Sequence, residues 1–175
     1  NSGEPMKPLV KVASGGELSR TMLALKSVLS DNVDTLIFDE IDTGVSGSAA
    51  QKIAEKLKNN GVKVSVADLC RDDVAEAIED AFKYDRMIVA ASSYEGSVMP
   101  AMYNFLHHLQ HKNFQNRKVG IVENGSWAPS AGRVMRKLLE EMKDIEIVSP
   151  MITIRSAKKP ADAETINELV NEMSK

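Results

Sequence analysis

TLIFDEIDTGVSGS, residues 35–48, decides how the rest of the chain is read. A short apolar run, Leu36-Ile37-Phe38, ends at two adjacent carboxylates, Asp39 and Glu40. Small residues follow, Thr43-Gly44-Val45-Ser46-Gly47-Ser48, and then a helical pattern begins. A buried strand, a small-residue loop and a helix N-terminus make the first unit of a nucleotide-binding α/β sheet, in which backbone N–H groups face an anion. The same order also serves as a plain tight turn in any α/β protein, so the stretch by itself leaves both readings open.

On the amino side, Gly3, Pro5 and Pro8 mark an extended lead-in. Ser14-Gly15-Gly16-Glu17 reads as a capping box, with Ser14 as N-cap and Glu17 reaching back. Leu18, Met22, Leu25 and Leu29 fall at steps of four, three and four, a helix over residues 17–29 burying one face. On the carboxyl side, Ser48-Ala49-Ala50-Gln51 reads as a second capping box, and Ala50, Ile53, Ala54 and Leu57 form a stripe that Asn59-Asn60-Gly61 ends.

Val62, Val64 and Val66 alternate with polar or small residues, the period of a half-covered strand. A helix follows Asp72-Asp73 and uses Val74, Ala77, Ile78, Ala81 and Phe82. Residues 87–91 read as a fully buried strand with Ser92-Ser93-Tyr94-Glu95-Gly96 as its loop, and Pro100 suits the first turn of the next helix. Residues 118–122 read as a fourth strand with Glu123-Asn124-Gly125-Ser126-Trp127 as its loop. A helix over residues 130–142 follows, carrying Val134, Leu138, Leu139 and Met142. A fifth strand starts over residues 145–148 and continues past Pro150 to Ile154, and a last helix covers residues 161–173.

From Thr35 onward, strands and helices alternate five times. That pattern specifies an α/β fold with a doubly wound parallel sheet, helices on both faces and an extra helix at the amino end.

Composition narrows the class. The 175 residues make one domain, with 43% hydrophobic and 27% charged side chains. The net charge of −3 argues against bulk binding to nucleic acid or an anionic membrane. Cys70 is the one cysteine, so no internal disulfide forms and a reducing compartment fits. No apolar run reaches the roughly 18–20 residues of a membrane span, and no stretch reads as a signal peptide. The start at Asn1 without methionine reads as the start of a fragment. His107 and His111 have the i, i+4 spacing of a metal clip, but with no carboxylate or cysteine cluster beside them a solvated helix face is the expectation. Cys70 lacks a CxxC partner, so its expected part is structural.

The amino-terminal third resembles RecN, a family of DNA-repair ATPases of the ABC and SMC-like class. KVASGGELSRTMLALK is similar to the ABC signature and its helix, and TLIFDEIDTGVSG to the Walker B strand and D-loop; the likeness covers residues 4–57. It implies that Ser14, Gly15 and Gly16 touch the γ-phosphate of ATP held by another ATPase head. It also implies that Asp39 supports Mg²⁺ and Glu40 polarises the attacking water. The sequence nevertheless contains no GxxxxGK[ST] loop, and the family's switch histidine is absent. Without the phosphate-cradling lysine loop no autonomous ATPase is expected.

The remainder, residues 53–175, resembles the flavodoxin-like domain of A-type flavoproteins (flavodiiron proteins). MIVAASSYEGSVMPAM and VGIVENGSWAPSAG carry the likeness, together with the order of elements. It implies a five-stranded sheet of order 2-1-3-4-5 and FMN as cofactor. Ser92, Ser93, Tyr94, Glu95 and Gly96 would lie on one side of the isoalloxazine, and Asn124, Gly125, Ser126 and Trp127 on the other. This part lacks the family's own first strand and phosphate loop, and also its diiron domain. TLIFDEIDTGVSGSAAQKIAEKL supplies the missing strand, loop and helix.

The chain therefore reads as a chimera, engineered or recombined, in which an ABC-type segment (residues 1–57) completes a flavodoxin-like sheet. Thr43, Ser46, Gly47 and Ser48 would surround the FMN phosphate, weakened by Asp39, Glu40 and Asp42. No complete catalytic site is expected. Both resemblances imply the cytoplasm, and FMN is the one partner they imply for this chain. A folded scaffold without activity and an ABC-type fragment contacting nucleotide in trans are the alternatives.

Overall fold

The computed structural model of the protein describes residues 46–155 and 159–175. Along them run α1 (Ser46–Asn59), α2 (Val74–Lys83), β1 (Arg86–Tyr94), β2 (Ser97–Val98), α3 (Pro100–His111), β3 (Arg117–Asn124), α4 (Ala131–Glu140), β4 (Ile145–Ile147), β5 (Ile152–Ile154) and α5 (Asp162–Ser174). The strands form one five-stranded sheet in the order β2-β1-β3-β4, with β5 also paired to β3. β1 runs parallel to β3, from Arg86 beside Lys118 to Ser92 beside Asn124. β4 and β5 run parallel to β3 as well, whereas the short β2 is antiparallel to β1.

Successive strand residues point to opposite faces, and this sorts the apolar residues into two cores. Val89, Ala91, Val119 and Ile121 pack with Ala77 and Ala81 of α2, Phe105, Leu106 and Leu109 of α3, and Met135 and Leu139 of α4. Ile88, Ala90 and Val122 pack on the other side with Ile53 and Leu57 of α1 and with Ile166, Leu169 and Val170 of α5. Helices cover both faces, the doubly wound arrangement the alternating pattern called for.

The helix boundaries follow from local chemistry. Asp73 caps α2 by accepting from the Ala75 N–H at 2.8 Å. Pro100 opens α3 at a position where no N–H is needed. Gly61, at φ 80°, ends α1: its N–H donates to the Lys58 carbonyl and that of Val62 to the Leu57 carbonyl. These two bonds are the Schellman pair, which needs a left-handed residue that glycine adopts without strain. α1 begins at Ser46, so Ser48 lies in its first turn and is not the expected N-cap.

Several strand expectations are corrected. Residues 62–67 form no strand. Val62 and Val64 are half-buried against the α1–α5 core while Lys63 and Ser65 are exposed, but Val66 is exposed too, so the alternation holds only over residues 62–65 and without a hydrogen-bonded ladder. A strand exists through its partner's backbone, and the neighbour expected here, residues 36–38, lies outside the described residues. The Ser65 hydroxyl instead donates to Asp80 of α2.

β1 is longer than read and incorporates Ser92, Ser93 and Tyr94; Met87, Ile88 and Ala90 are half-buried rather than enclosed. β3 likewise extends through Glu123 and Asn124. The fifth strand does continue past Pro150, but as two pieces, β4 and β5, separated around Ser149 and Pro150. Proline has no N–H to give the ladder. The signature-like helix over residues 17–29, the strand over residues 36–38 and Thr43 all lie outside the described residues.

Candidate functional site

The carboxyl ends of β1 and β3 lie side by side, with Ser92 opposite Asn124. In a doubly wound sheet that edge is where ligands bind. β1 turns back into β2, pairing Ser93 with Val98 and Tyr94 with Ser97. The two turn residues, Glu95 (φ 48°) and Gly96 (φ 71°), both have positive φ, as a type I′ hairpin requires. For Glu95 the left-handed conformation costs roughly 1–2 kcal/mol. The expected loop over residues 92–96 is therefore a strand end and a tight turn. Its tip carries the Tyr94 ring, 46% exposed.

The segment after β3 is pinned at both ends. The Gly125 N–H donates to the Ile154 carbonyl at 3.2 Å. A Cβ at Gly125 would lie 2.9 Å from Ser93 Oγ and 3.0 Å from Pro129 Cα, so only glycine fits between β1 and its own loop. At the far end the Ser93 hydroxyl oxygen accepts from the N–H groups of Ser130 (2.8 Å) and Ala131 (3.2 Å). Ser130 Oγ donates to the Ser97 carbonyl at 2.7 Å, tying this loop to the hairpin. Between the pins, Ser126 and Trp127 are exposed, Trp127 to 95%.

Among the residues read as cofactor-binding, the structure brings Ser92, Ser93 and Tyr94 to one strand end and Asn124, Gly125, Ser126 and Trp127 beside it. The Ser93 hydroxyl is engaged by α4, and Asn124 is buried. Ser46, Gly47 and Ser48 form the first turn of α1. Glu123, read only as loop, proves to be a buried carboxylate, 5% exposed, that accepts from the Gly132 N–H at 2.7 Å and the Thr153 hydroxyl at 2.8 Å. The signal for it was a charged residue directly after the apolar run Val119-Gly120-Ile121-Val122.

The other candidates are plain. His107, His108 and His111 are exposed on α3, the rings of His107 and His111 lie 4.2 Å apart, and His111 Nδ1 is 2.8 Å from the His107 carbonyl oxygen. Among the described residues no cluster of three metal-ligating side chains occurs. Cys70 is exposed in the turn before α2. No helix among the described residues is long and apolar enough to cross a membrane.

A parallel sheet wound on both faces, with two ring-bearing segments at the carboxyl ends of neighbouring strands, defines a flavodoxin-like α/β protein. Residues 36–153 match the flavodoxin domain family, and the chain belongs to that family. The rubredoxin oxygen:oxidoreductase of Desulfovibrio gigas superposes with a TM-score of 0.70 at 15% identity, over 74% of this chain and 32% of that one. The flavodoxin of Streptococcus pneumoniae TIGR4 superposes with a TM-score of 0.66 at 22% identity, over 76% and 92%. At these identities the likeness establishes the fold.

The amino-terminal region has different relatives. The DNA repair protein RecN of Treponema pallidum is 65% identical over 60 residues, 33% of this chain and 10% of that protein. RecN of Halalkalibacterium halodurans is 51% identical over 86 residues, 48% of this chain and 15% of that protein. The chain thus spans only a small fraction of the length of the curated relatives it matches.

Proposed function

We propose that the chain is a single FMN-binding flavodoxin-like domain over residues 1–175, built as a chimera. A RecN-like segment, residues 1–57, takes the place of the first strand, phosphate loop and first helix, and residues 53–175 form the flavodoxin-like remainder. The observation that carries the FMN reading is Trp127, an almost fully exposed tryptophan on a segment whose two ends are fixed by hydrogen bonds. A ring held out to solvent on a rigid frame is arranged to cover a flat ligand. The described half of the site fits the ring of FMN in this sense: Tyr94 and Trp127 supply faces, and Glu95, Gly96 and Ser126 are exposed beside them. The phosphate falls to Ser46, Gly47 and Ser48 at the start of α1, where the helix N-terminus favours an anion, and to Thr43 just before them in sequence. FMN, when bound, supplies one- and two-electron transfer. The chain brings no catalytic group of its own to that chemistry.

Titration of the purified protein with FMN tests this reading. Saturable quenching of flavin fluorescence is the expected result, and flavin emission unchanged at high protein concentration would leave the chain a scaffold without cofactor.

The transplanted loop makes a second expectation. Asp39, Glu40 and Asp42 place carboxylates close in sequence to the phosphate residues. Two unit charges about 6 Å apart interact by roughly 3 kcal/mol at an effective dielectric near 20, and solvent and salt reduce this to about 1 kcal/mol. Asp42→Asn should therefore tighten FMN up to about tenfold at low salt and less at high salt. Affinity unchanged across ionic strengths would move the phosphate away from residues 43–48.

The 65% identity to RecN favours a second reading, in which Ser14, Gly15 and Gly16 contact nucleotide on another ATPase head. In either case the chain alone should show no ATPase activity, because no lysine-bearing phosphate loop is present. Phosphate release that disappears in Glu40→Gln would overturn this.

A further inference from the structure

The N-terminus of α4 is capped from outside its own chain segment. Its N-cap residue, Ser130, makes no side-chain cap and turns its hydroxyl to the hairpin instead. The first N–H groups are met by side chains of the two central strands: those of Ser130 and Ala131 by Ser93, and that of Gly132 by Glu123. A helix N-terminus attracts negative charge, and here a buried carboxylate answers it. The second carboxylate oxygen takes the Thr153 hydroxyl from β5. One side chain thereby joins the end of β3, the start of α4 and the strand beside it. Gly132 leaves the room for this: a Cβ there would meet Glu123 Cδ at 2.9 Å and Met151 Sδ at 2.7 Å.

We propose that Glu123 is the positioning residue of the ring wall, fixing residues 124–130 and with them Trp127. The bond to Gly132 closes the chain from Glu123 across to the first turn of α4, and Trp127 lies within that closed span. Glu123 and Ser93 together occupy the N–H groups of Ser130, Ala131 and Gly132 at the α4 N-terminus, so the anionic end of a ligand is left to α1. This extends the FMN reading and rests on it for its ligand, though not for its effect on the loop.

Trp127 is the only tryptophan in the sequence, so its fluorescence anisotropy reports this segment directly. In the ligand-free protein, Glu123→Ala should lower that anisotropy and raise acrylamide quenching. Riboflavin, which has the ring without the phosphate, should bind about tenfold more weakly, the scale of one hydrogen bond to a charged group. Glu123→Gln should restore both, because its amide oxygen can accept from Gly132 and its amide nitrogen can donate to Thr153. Wild-type anisotropy in Glu123→Ala, or no rescue by glutamine, would overturn the proposal. Should the alanine variant fail to fold, Gly132→Ala carries the test, since its methyl displaces the carboxylate while suiting a helix; unchanged anisotropy there is equally fatal. If the wild-type protein binds no flavin, the FMN reading fails while the anisotropy measurements still decide the role of Glu123.

Discussion

Trp127→Ala should weaken FMN binding about thirtyfold while leaving thermal stability where it was. The ring is 95% exposed, so its loss opens no cavity, and surface substitutions of this kind stay within about 0.5 kcal/mol. Against a bound flavin the same ring is a large flat contact. Aromatic residues at the centre of a binding site are worth about 2 kcal/mol or more when truncated, and that corresponds to about thirtyfold in affinity. Flavin emission is the signal to follow, because the variant has no tryptophan. Trp127→Phe should recover part of the loss, in proportion to the smaller face. Unchanged affinity in the alanine variant would show that the ring covers nothing. A fall in melting temperature would show that it packs within the fold.

How far the sequence revealed this arrangement depends on what each residue needed in order to be understood. Helices were legible where the chain supplies its own boundary, as at Asp73 and Pro100, or its own terminator, as at Gly61. Each of these acts on its neighbours within a few residues, which is the range over which a sequence can be read. Residues 62–67 failed for the opposite reason. Their alternation shows in burial only as far as Val64, Val66 being exposed, and a strand is a property of two segments, so periodicity in one says nothing of the ladder. The hairpin at Glu95 and Gly96 was hidden because a glutamate at positive φ contradicts local preference.

Glu123 was the most informative omission from the site. Its partners, Gly132 and Thr153, stand 9 and 30 positions away, and only folding brings them together. A glutamate next to Asn-Gly reads as a solvated turn until the helix N-terminus that it serves is in place. The exposure of Trp127 was legible because it demands little of the surroundings: a large ring in a glycine-containing loop after an apolar strand. The ends of the loop were not, since the N–H groups that the Ser93 hydroxyl accepts, those of Ser130 and Ala131, stand 37 and 38 positions away.

The largest effect on stability is expected where β3 meets α5. Gly120 lies on the central strand opposite Ile88, and a Cβ there would stand 3.0 Å from Leu169 Cδ1 and 3.3 Å from Ile88 Cγ1. The glycine is thus a packing choice, letting a fully buried leucine sit directly on the strand. Leu169→Ala should cost about 2–5 kcal/mol, through lost transfer energy and the cavity left behind. Gly120→Val should cost about 1–3 kcal/mol by forcing the same leucine off its rotamer. The two changes are complementary in volume, so the double variant should be more stable than the sum of the single costs implies, by about 1 kcal/mol or more. Denaturant midpoints with an unchanged slope are the measurement, because a changed slope would report a different unfolded state instead. Strict additivity would mean that the two side chains do not share this space, and that α5 approaches β3 somewhere other than at Gly120.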